Sequence, residues 1–188
     1  GLVEAGCENL LAHIDIVRKA GVTPVVCLNA FYTDTKAEHD CVRRIVENAG
    51  AIFAVSSHWE HGGEGARELA EAVVEAAKRP NNFKYLYEET DSPLEKMNKI
   101  VTEVYGGDGV ELLPEAAEKL AVIEASSELR TLPVCMAKTQ YSLSHDPLLK
   151  GRPRGFTVPI RDILTYQGAG YIVPVAGDIK LMPGTASN

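Results

Sequence analysis

Two short segments carry the side chains best suited to hold a flat ligand. Residues 29–35 (NAFYTDT) contain Phe31, and residues 57–65 (SHWEHGGEG) contain Trp59, the only tryptophan of the chain. Two aromatic rings provide a large apolar contact at a low cost in side-chain entropy, and such a pair suits a pterin, a purine or a flavin. The spacing alone equally allows a structural role, in which Phe31 caps the core and Trp59 packs on a neighbouring helix.

Both segments occupy the same kind of position in the predicted fold. Each follows a short apolar run, at residues 24–28 and 51–55, and each precedes a helical pattern. This order is typical of parallel strands joined by right-handed crossovers. Loops that follow parallel strands lie at the carboxyl edge of the sheet, where open α/β proteins bind ligands. We therefore expect Phe31 and Trp59 to lie at one edge of one sheet.

Polar side chains stand at the start of the helix that follows Phe31. Thr33, Asp34 and Thr35 offer two hydroxyls and a carboxylate beside free main-chain N–H groups, which could bind an anion or an amine donor. A purely structural interpretation is also open. Thr35 and Glu38 form a predicted capping box, and Asp34 would favour the helix dipole.

Neither a phosphate loop nor a metal site is predicted. The glycine-rich turn at residues 62–65 lacks the G-x-x-x-x-G-K-[ST] pattern, and Glu64 would repel a phosphate. His58 and His61, with Glu60 and Glu64, could be drawn as a metal cluster. They fall in a predicted loop rather than on one helix face, however, and no cysteine joins them.

The pattern of elements predicts two parts, residues 1–80 and residues 81–188. The first part has the order α-β-α-β-α, with helices at 4–20, after Thr35, and at 66–78. The second part is of mixed α+β type, with helices capped at Ser92 and at 114–126, and strands at 133–137, 156–164 and 170–175. Lys138 follows the first of those strands and could meet an anionic substrate, although a single loop lysine is weak support.

Composition narrows the function further. The net charge of -7 over 188 residues argues against a nucleic-acid-binding protein, because no basic stripe could neutralise phosphates. No apolar run approaches the length of a membrane span and no signal peptide opens the sequence, so we expect a cytoplasmic protein. The four cysteines lie far apart and are expected to be buried, reduced thiols. The start without an initiator Met suggests part of something longer.

Five ordered motifs resemble the formate–tetrahydrofolate ligase family. They are N-x-F-x-T-D-T from residue 29, H-W-x-x-G-G-E-G from residue 58, LPVCMAKTQYSLSHDP from residue 132, GAGYIVPVAGDI from residue 168, and M-P-G from residue 182. The resemblance extends over essentially the whole chain. Family members are longer and carry an ATP-binding P-loop in an N-terminal region. The resemblance thus implies the later part of a Rossmann-like, P-loop NTPase-type large domain, followed by the smaller C-terminal domain.

The resemblance also implies an activity and a set of residues. The family joins formate to tetrahydrofolate with ATP, through formyl phosphate, and uses Mg and a stimulating monovalent cation. By motif, Phe31 and Trp59 match the aromatics that sandwich the pterin, and Thr33 and Asp34 line the same pocket. Three residues at a strand end would border the nucleotide: Val55, Ser56 and Ser57.

Two function hypotheses follow. In the first, the chain is part of a ligase, completed in cis or in trans by a P-loop region, usually as a homotetramer, and is inactive alone. No catalytic side chain is expected here, because formyl transfer needs no protein nucleophile. In the second, it is a non-catalytic folate-binding or assembly module. A third, weaker idea is a degenerate nucleotide-binding domain without a folate role.

Overall fold

The structure is a computed structural model that describes residues 1–177. The chain separates into two compact units, Gly1–Tyr85 and a second unit that begins at Leu86. Both units mix helices with small β-sheets, which confirms the α/β class. The last part of the GAGYIVPVAGDI motif and the M-P-G motif lie outside the described residues.

The first unit follows the predicted order of elements. Its elements are α1 (Leu2–Lys19), β1 (Val25–Asn29), α2 (Lys36–Asn48), β2 (Ile52–Ser56), α3 (His58–His61), a 3₁₀ helix (Gly62–Ala66) and α4 (Arg67–Lys78). Predicted and observed boundaries agree within two residues, because apolar spacing and caps are encoded locally. The short helix α3 replaces the glycine-rich loop expected around Trp59.

Strands β1 and β2 are parallel, as predicted. Their register pairs Val25 with Ile52 and Asn29 with Ser56, so both strands end at the same level. A core packs against the sheet and is centred on Ile14, Val46, Ala51 and Phe53. The register therefore brings the loops after Asn29 and Ser56 to one edge.

Helix α2 begins at the predicted capping box. The Thr35 hydroxyl accepts the Glu38 N–H at 3.3 Å, and the Glu38 carboxylate accepts the Thr35 N–H at 2.8 Å. These reciprocal bonds satisfy main-chain donors that have no partner within the helix. The Thr35 N–H and hydroxyl also hold the pKa of Glu38 below its usual range.

Glycine is required at Gly21, between α1 and β1. Its φ of +81° lies in the left-handed region, and a Cβ there would stand 1.9 Å from the Asn82 carbonyl oxygen. The Asn82 N–H donates to the Gly21 carbonyl at 2.9 Å. The segment after α4 thus closes directly onto this turn.

The second unit combines short helices with two small sheets. Its elements are α5 (Pro93–Lys99), a π-helix (Ile100–Tyr105), β3 (Gly109–Leu112), α6 (Pro114–Ala125), a 3₁₀ helix (Leu129–Thr131), β4 (Thr157–Ile160), β5 (Asp162–Tyr166) and β6 (Tyr171–Val175). Strands β3 and β4 are parallel, and β5 and β6 are antiparallel. The predicted cap at Ser92 is present, with Pro93 in the first helical position.

Two strand predictions in the second unit were wrong, and one strand was not predicted. The run at 156–164 is interrupted at Arg161, and its halves β4 and β5 join different sheets. The run at 133–137 makes only isolated bridges through Val134 and Ala137. Strand β3 was missed, because its four residues are too short to show a period. A continuous apolar run cannot reveal where pairing partners change.

A wholly buried lysine ties the second unit together. Lys96 has 0% exposure, and its ammonium donates to the Thr131 and Leu132 carbonyls at 3.0 and 3.2 Å. The same ammonium lies 5.8 Å from the centre of the Tyr87 ring. Burial lowers the pKa of Lys96, since the charged form is taken from water.

The cysteine prediction was only partly right. All four thiols are free, but only Cys7 is buried, and Cys27 and Cys135 are exposed. Burial is the main cause that raises the pKa of Cys7. Among residues 1–177, no helix is long and apolar enough to cross a membrane.

Candidate functional site

The two predicted loops are joined through the main chain of Ala30. Its N–H donates to the Ser56 carbonyl at 2.9 Å, which extends the β1–β2 ladder by one residue. Its carbonyl accepts a 2.8 Å hydrogen bond from the indole Nε1 of Trp59. Ala30 therefore bonds to both the end of β2 and the Trp59 ring, and it directly precedes Phe31.

Phe31 and Trp59 form the pair that their positions predicted. Their ring centres lie 6.2 Å apart with 25° between the ring planes. Phe31 is 55% exposed and Trp59 is 50% exposed, so both rings face solvent rather than the core. The first unit holds two aromatic side chains side by side on its surface, where a ligand can reach them.

The spacing of the two rings sets a condition for ligand entry. Carbon atoms in contact prefer about 3.5–4 Å, so a ring clamped on both faces needs at least about 7 Å between the clamping rings. The observed 6.2 Å is measured between ring centres and lies in the range of two aromatic rings in direct contact. A planar ligand therefore fits between Phe31 and Trp59 only after the two rings move apart.

Asp34 closes a tight turn that begins at Phe31. The Asp34 N–H donates to the Phe31 carbonyl at 3.0 Å, and the Phe31 N–H donates to Asp34 Oδ2 at 2.9 Å. His39 Nε2 lies 3.3 Å from the same carboxylate oxygen. The Phe31 N–H, and then His39, hold the pKa of Asp34 below its usual range. Thr33 lies exposed at the centre of this turn.

The strand-end serines hold helix α3. Ser56 has 0% exposure, and its hydroxyl lies 2.9 Å from His58 Nδ1. The Ser57 hydroxyl lies 3.1 Å from His61 Nδ1. Val55 precedes them on β2 and is partly buried. The two histidines considered as metal ligands thus bond to serines. No group of three or more possible metal ligands occurs among the described residues.

Gly65 packs the second loop against the end of β2. The Ser57 N–H donates to the Gly65 carbonyl at 2.9 Å. A Cβ at Gly65 would lie 2.7 Å from the carbonyl carbon and oxygen of Ser57, closer than real Cβ contacts allow. The glycine-rich turn therefore packs closely against the main chain of Ser57 and His58, just before Trp59.

Lys138 makes internal contacts in the second unit. Its ammonium donates to the Thr139 carbonyl at 2.8 Å and to the Ser142 carbonyl, and it lies 5.0 Å from the centre of the Tyr105 ring. Burial lowers the pKa of Lys138 and raises that of Tyr105 to about 12. The Lys138 ammonium, which the sequence analysis considered as a contact for an anionic substrate, thus binds groups of the protein itself.

The residue pattern predicts that the Phe31 and Trp59 rings lie at one sheet edge, but not which groups hold them in position. Ala30 acts through main-chain atoms alone, so its side chain carries no signal. His39 lies one turn into α2, where a histidine also suits an exposed helix face. The contact between Ser57 and His61 could have been found, because the two residues are four apart at the start of a helix.

The first unit is an α/β structure with two exposed aromatic rings at the carboxyl ends of neighbouring parallel strands, which is the edge where open α/β sheets bind ligands. Residues 1–188 match the family model described as formate–tetrahydrofolate ligase. The chain belongs to the formate–tetrahydrofolate ligase family.

Curated relatives agree with this assignment. A formate–tetrahydrofolate ligase of Desulfotalea psychrophila is 59% identical over 189 residues, which cover 100% of this chain and 34% of that protein. One from Dehalococcoides mccartyi is 60% identical over 188 residues, covering 100% of this chain and 31% of that protein. The chain spans about a third of the length of these relatives.

Proposed function

We propose that this chain forms the pterin-binding side of an ATP-dependent ligase that makes 10-formyltetrahydrofolate from formate and tetrahydrofolate through formyl phosphate. The observation that carries the proposal is the exposed Phe31–Trp59 pair, with 6.2 Å between ring centres at a sheet edge. A pterin is a flat, fused ring whose two faces such a pair covers. The proposed reaction is the one that gives the formate–tetrahydrofolate ligase family its name.

The chain's own contribution is to bind and orient the acceptor. Phe31 and Trp59 stack on the pterin, and Thr33 and Asp34 lie in the loop at its side. Val55, Ser56 and Ser57, where β2 ends, border the nucleotide. Holding the acceptor amine beside an acyl phosphate removes much of the entropic part of the barrier. No side-chain nucleophile is required from this chain.

ATP, Mg and any monovalent cation are held mainly by other residues of the enzyme. Phosphoryl transfer requires positive charge around the transferring group, and this chain has a net charge of -7. Residues 1–177 also form no cluster of three or more metal-ligating side chains. The charge that phosphoryl transfer needs therefore comes from the P-loop part of the enzyme.

The rest of the enzyme, which carries the P-loop, docks on the outer edge of β1, either in cis or in trans. Within the described residues, β1 pairs only with β2, so its other edge is open. Val17 and Val73 lie exposed beside that edge and line an apolar groove of about 410 Å³. An open strand edge between apolar surfaces is a site for a further strand.

This arrangement makes residues 1–80 the end of a Rossmann-like, P-loop NTPase-type domain, and residues 81–188 an α+β C-terminal domain. We propose a cytoplasmic homo-oligomer, a homotetramer as in the family, with neither nucleic acid nor a membrane as partner.

Titration of the 188-residue chain with tetrahydrofolate tests the proposal. Trp59 is the only tryptophan, so quenching of its fluorescence reports on the pair directly. We expect saturable quenching that Phe31→Ala abolishes. Tyr32→Ala is the matched control, because Tyr32 is the next residue and is 87% exposed. A folded wild-type chain that does not bind, or binding unaffected by Phe31→Ala, would contradict a preformed pterin site.

Catalysis separates this proposal from a non-catalytic folate-binding module. The chain alone is expected to form no 10-formyltetrahydrofolate from ATP, formate and tetrahydrofolate. Addition of the P-loop region of a relative is expected to restore the reaction. Folate binding without any restored activity would favour the non-catalytic module.

A further inference from the structure

The Asp34 carboxylate lies within hydrogen-bonding distance of two groups of the protein itself. One of its oxygens, Oδ2, accepts the Phe31 N–H at 2.9 Å and lies 3.3 Å from His39 Nε2. The main chain closes the same turn in the other direction, from the Asp34 N–H to the Phe31 carbonyl at 3.0 Å. Phe31 and Asp34 therefore hold each other by two hydrogen bonds, and His39 braces the carboxylate from α2.

The two rings of the pair are held in different ways. The Trp59 ring is fixed directly, because its Nε1 donates to the Ala30 carbonyl at 2.8 Å. The Phe31 ring has no polar atom and is 55% exposed, so neither a hydrogen bond nor the core fixes it. Its position depends on its main chain, which Asp34 fixes on one side and the Ala30–Ser56 bond fixes on the other.

The turn is also fastened to a rigid element. Thr35 follows Asp34 directly and caps α2 together with Glu38. His39 lies in the first turns of the same helix and reaches back to Asp34. The Phe31 main chain thus takes its position from α2, whose inner face packs in the core through Val46.

Position matters because the two rings must separate to admit a ligand. A pterin needs about 7 Å between the planes of the clamping rings, whereas ring centres 6.2 Å apart are typical of two rings in direct contact. With the Trp59 ring and the Phe31 main chain both held, rotation of the Phe31 side chain opens the gap. A free Phe31 main chain would let the ring drift from this geometry, at a cost to affinity.

We propose that Asp34 is a positioning residue, which acts on the pterin through the Phe31 main chain and the His39 brace rather than by pairing its charge with the ligand. The inference rests on the proposed pterin-binding function for its ligand. The turn itself is a property of the free chain and can be measured without any ligand.

The conservative variant separates the two roles. Asp34→Asn keeps an oxygen that accepts the Phe31 N–H but removes the charge, whereas Asp34→Ala removes both. We expect tetrahydrofolate affinity to stay within about threefold of wild type in Asp34→Asn and to fall about tenfold or more in Asp34→Ala. Equal losses in both variants would show that the charge itself contacts the ligand, and would overturn the proposal.

A ligand-free measurement keeps the test independent of the proposed function. In ¹H–¹⁵N spectra of the 188-residue chain, the Phe31 amide is expected to exchange slowly in wild type and Asp34→Asn, and fast in Asp34→Ala. His39→Ala is expected to give an intermediate rate. A Phe31 amide that stays protected in Asp34→Ala refutes the positioning role. A wild-type chain with the protected amide but no tetrahydrofolate binding refutes only the pterin site.

Discussion

The indole nitrogen of Trp59 donates a 2.8 Å hydrogen bond to the carbonyl of Ala30, across 29 residues of sequence. Because Ala30 directly precedes Phe31, this bond fixes one ring of the pair relative to the main chain of the other. The two loops that carry Phe31 and Trp59 are thereby joined by a hydrogen bond to the Ala30 main chain, and the Ala30 side chain takes no part in it.

Removing this bond while keeping an aromatic ring is expected to weaken pterin binding moderately. Trp59→Phe loses the Nε1 donor, which contributes about 0.5–1.5 kcal/mol, so we expect roughly a twofold to tenfold loss of affinity. Trp59→Ala also loses the stacking, which contributes about 1–3 kcal/mol more. Calorimetric titration with tetrahydrofolate measures both variants, since neither retains a tryptophan. Equal losses in the two would mean that ring anchoring, not stacking, dominates.

The glycine-rich turn offers a matched pair of substitutions. Gly65→Ala places a Cβ 2.7 Å from Ser57 main-chain atoms, whereas a Cβ at Gly63 meets nothing within 4 Å. We expect Gly65→Ala to lower the free energy of unfolding by about 1–3 kcal/mol and to weaken tetrahydrofolate binding by displacing Trp59. Gly63→Ala is expected to change neither. Thermal unfolding and Trp59 fluorescence check both variants, and a harmless Gly65→Ala would contradict the packing described for this turn.

The buried lysine of the second unit is expected to be essential for its stability. Lys96→Met leaves the Thr131 and Leu132 carbonyls without their donor, which we expect to cost about 1–3 kcal/mol in the free energy of unfolding. Lys36→Met is the control, because the Lys36 side chain is exposed, and it should change stability by less than about 0.5 kcal/mol. Chemical denaturation measures both. An unchanged Lys96→Met would show that the two carbonyls find other partners.

The same lysine predicts a pH dependence of defined sign. Its pKa in the folded chain lies below the ordinary 10.5, so in this range the unfolded chain binds more protons than the folded one. The stability of wild type relative to Lys96→Met is therefore expected to rise as the pH increases from the folded pKa towards 10.5. Denaturation of both proteins across alkaline pH checks this, and a falling difference would contradict it.

Asp34 is expected to affect stability in the acid pH range, whereas Lys96 acts at alkaline pH. Its folded pKa lies below the ordinary 3.8, because the Phe31 N–H and then His39 favour the carboxylate. The stabilisation is complete above pH 3.8 and is lost as the pH falls through the folded pKa. The difference in stability between wild type and Asp34→Asn, measured by denaturation, should therefore shrink only in acid. The main causes of the low Glu38 pKa, the Thr35 N–H and hydroxyl, are common to both proteins, whereas the Asp34 charge, which raises that pKa, is present only in wild type.

The sequence by itself determined the two strands and the three longer helices of the first unit, the capping boxes at Thr35 and Ser92, and the placement of Phe31 and Trp59 after neighbouring parallel strands. Helix caps and the spacing of apolar residues depend on a few neighbouring residues, so they can be recognised in the sequence without knowledge of tertiary contacts. The ordered motifs likewise indicated the family, because residue types and their order along the chain are enough to carry that resemblance.

Only the tertiary structure decided how the site is held. The bonds from Ala30 to Ser56 and Trp59 depend on the register between β1 and β2, and main-chain atoms leave no trace in residue type. The change of sheet at Arg161 and the burial of Lys96 depend on partners distant in sequence. Long-range pairing selects these features, because a local pattern states which residues prefer burial but not which groups they meet.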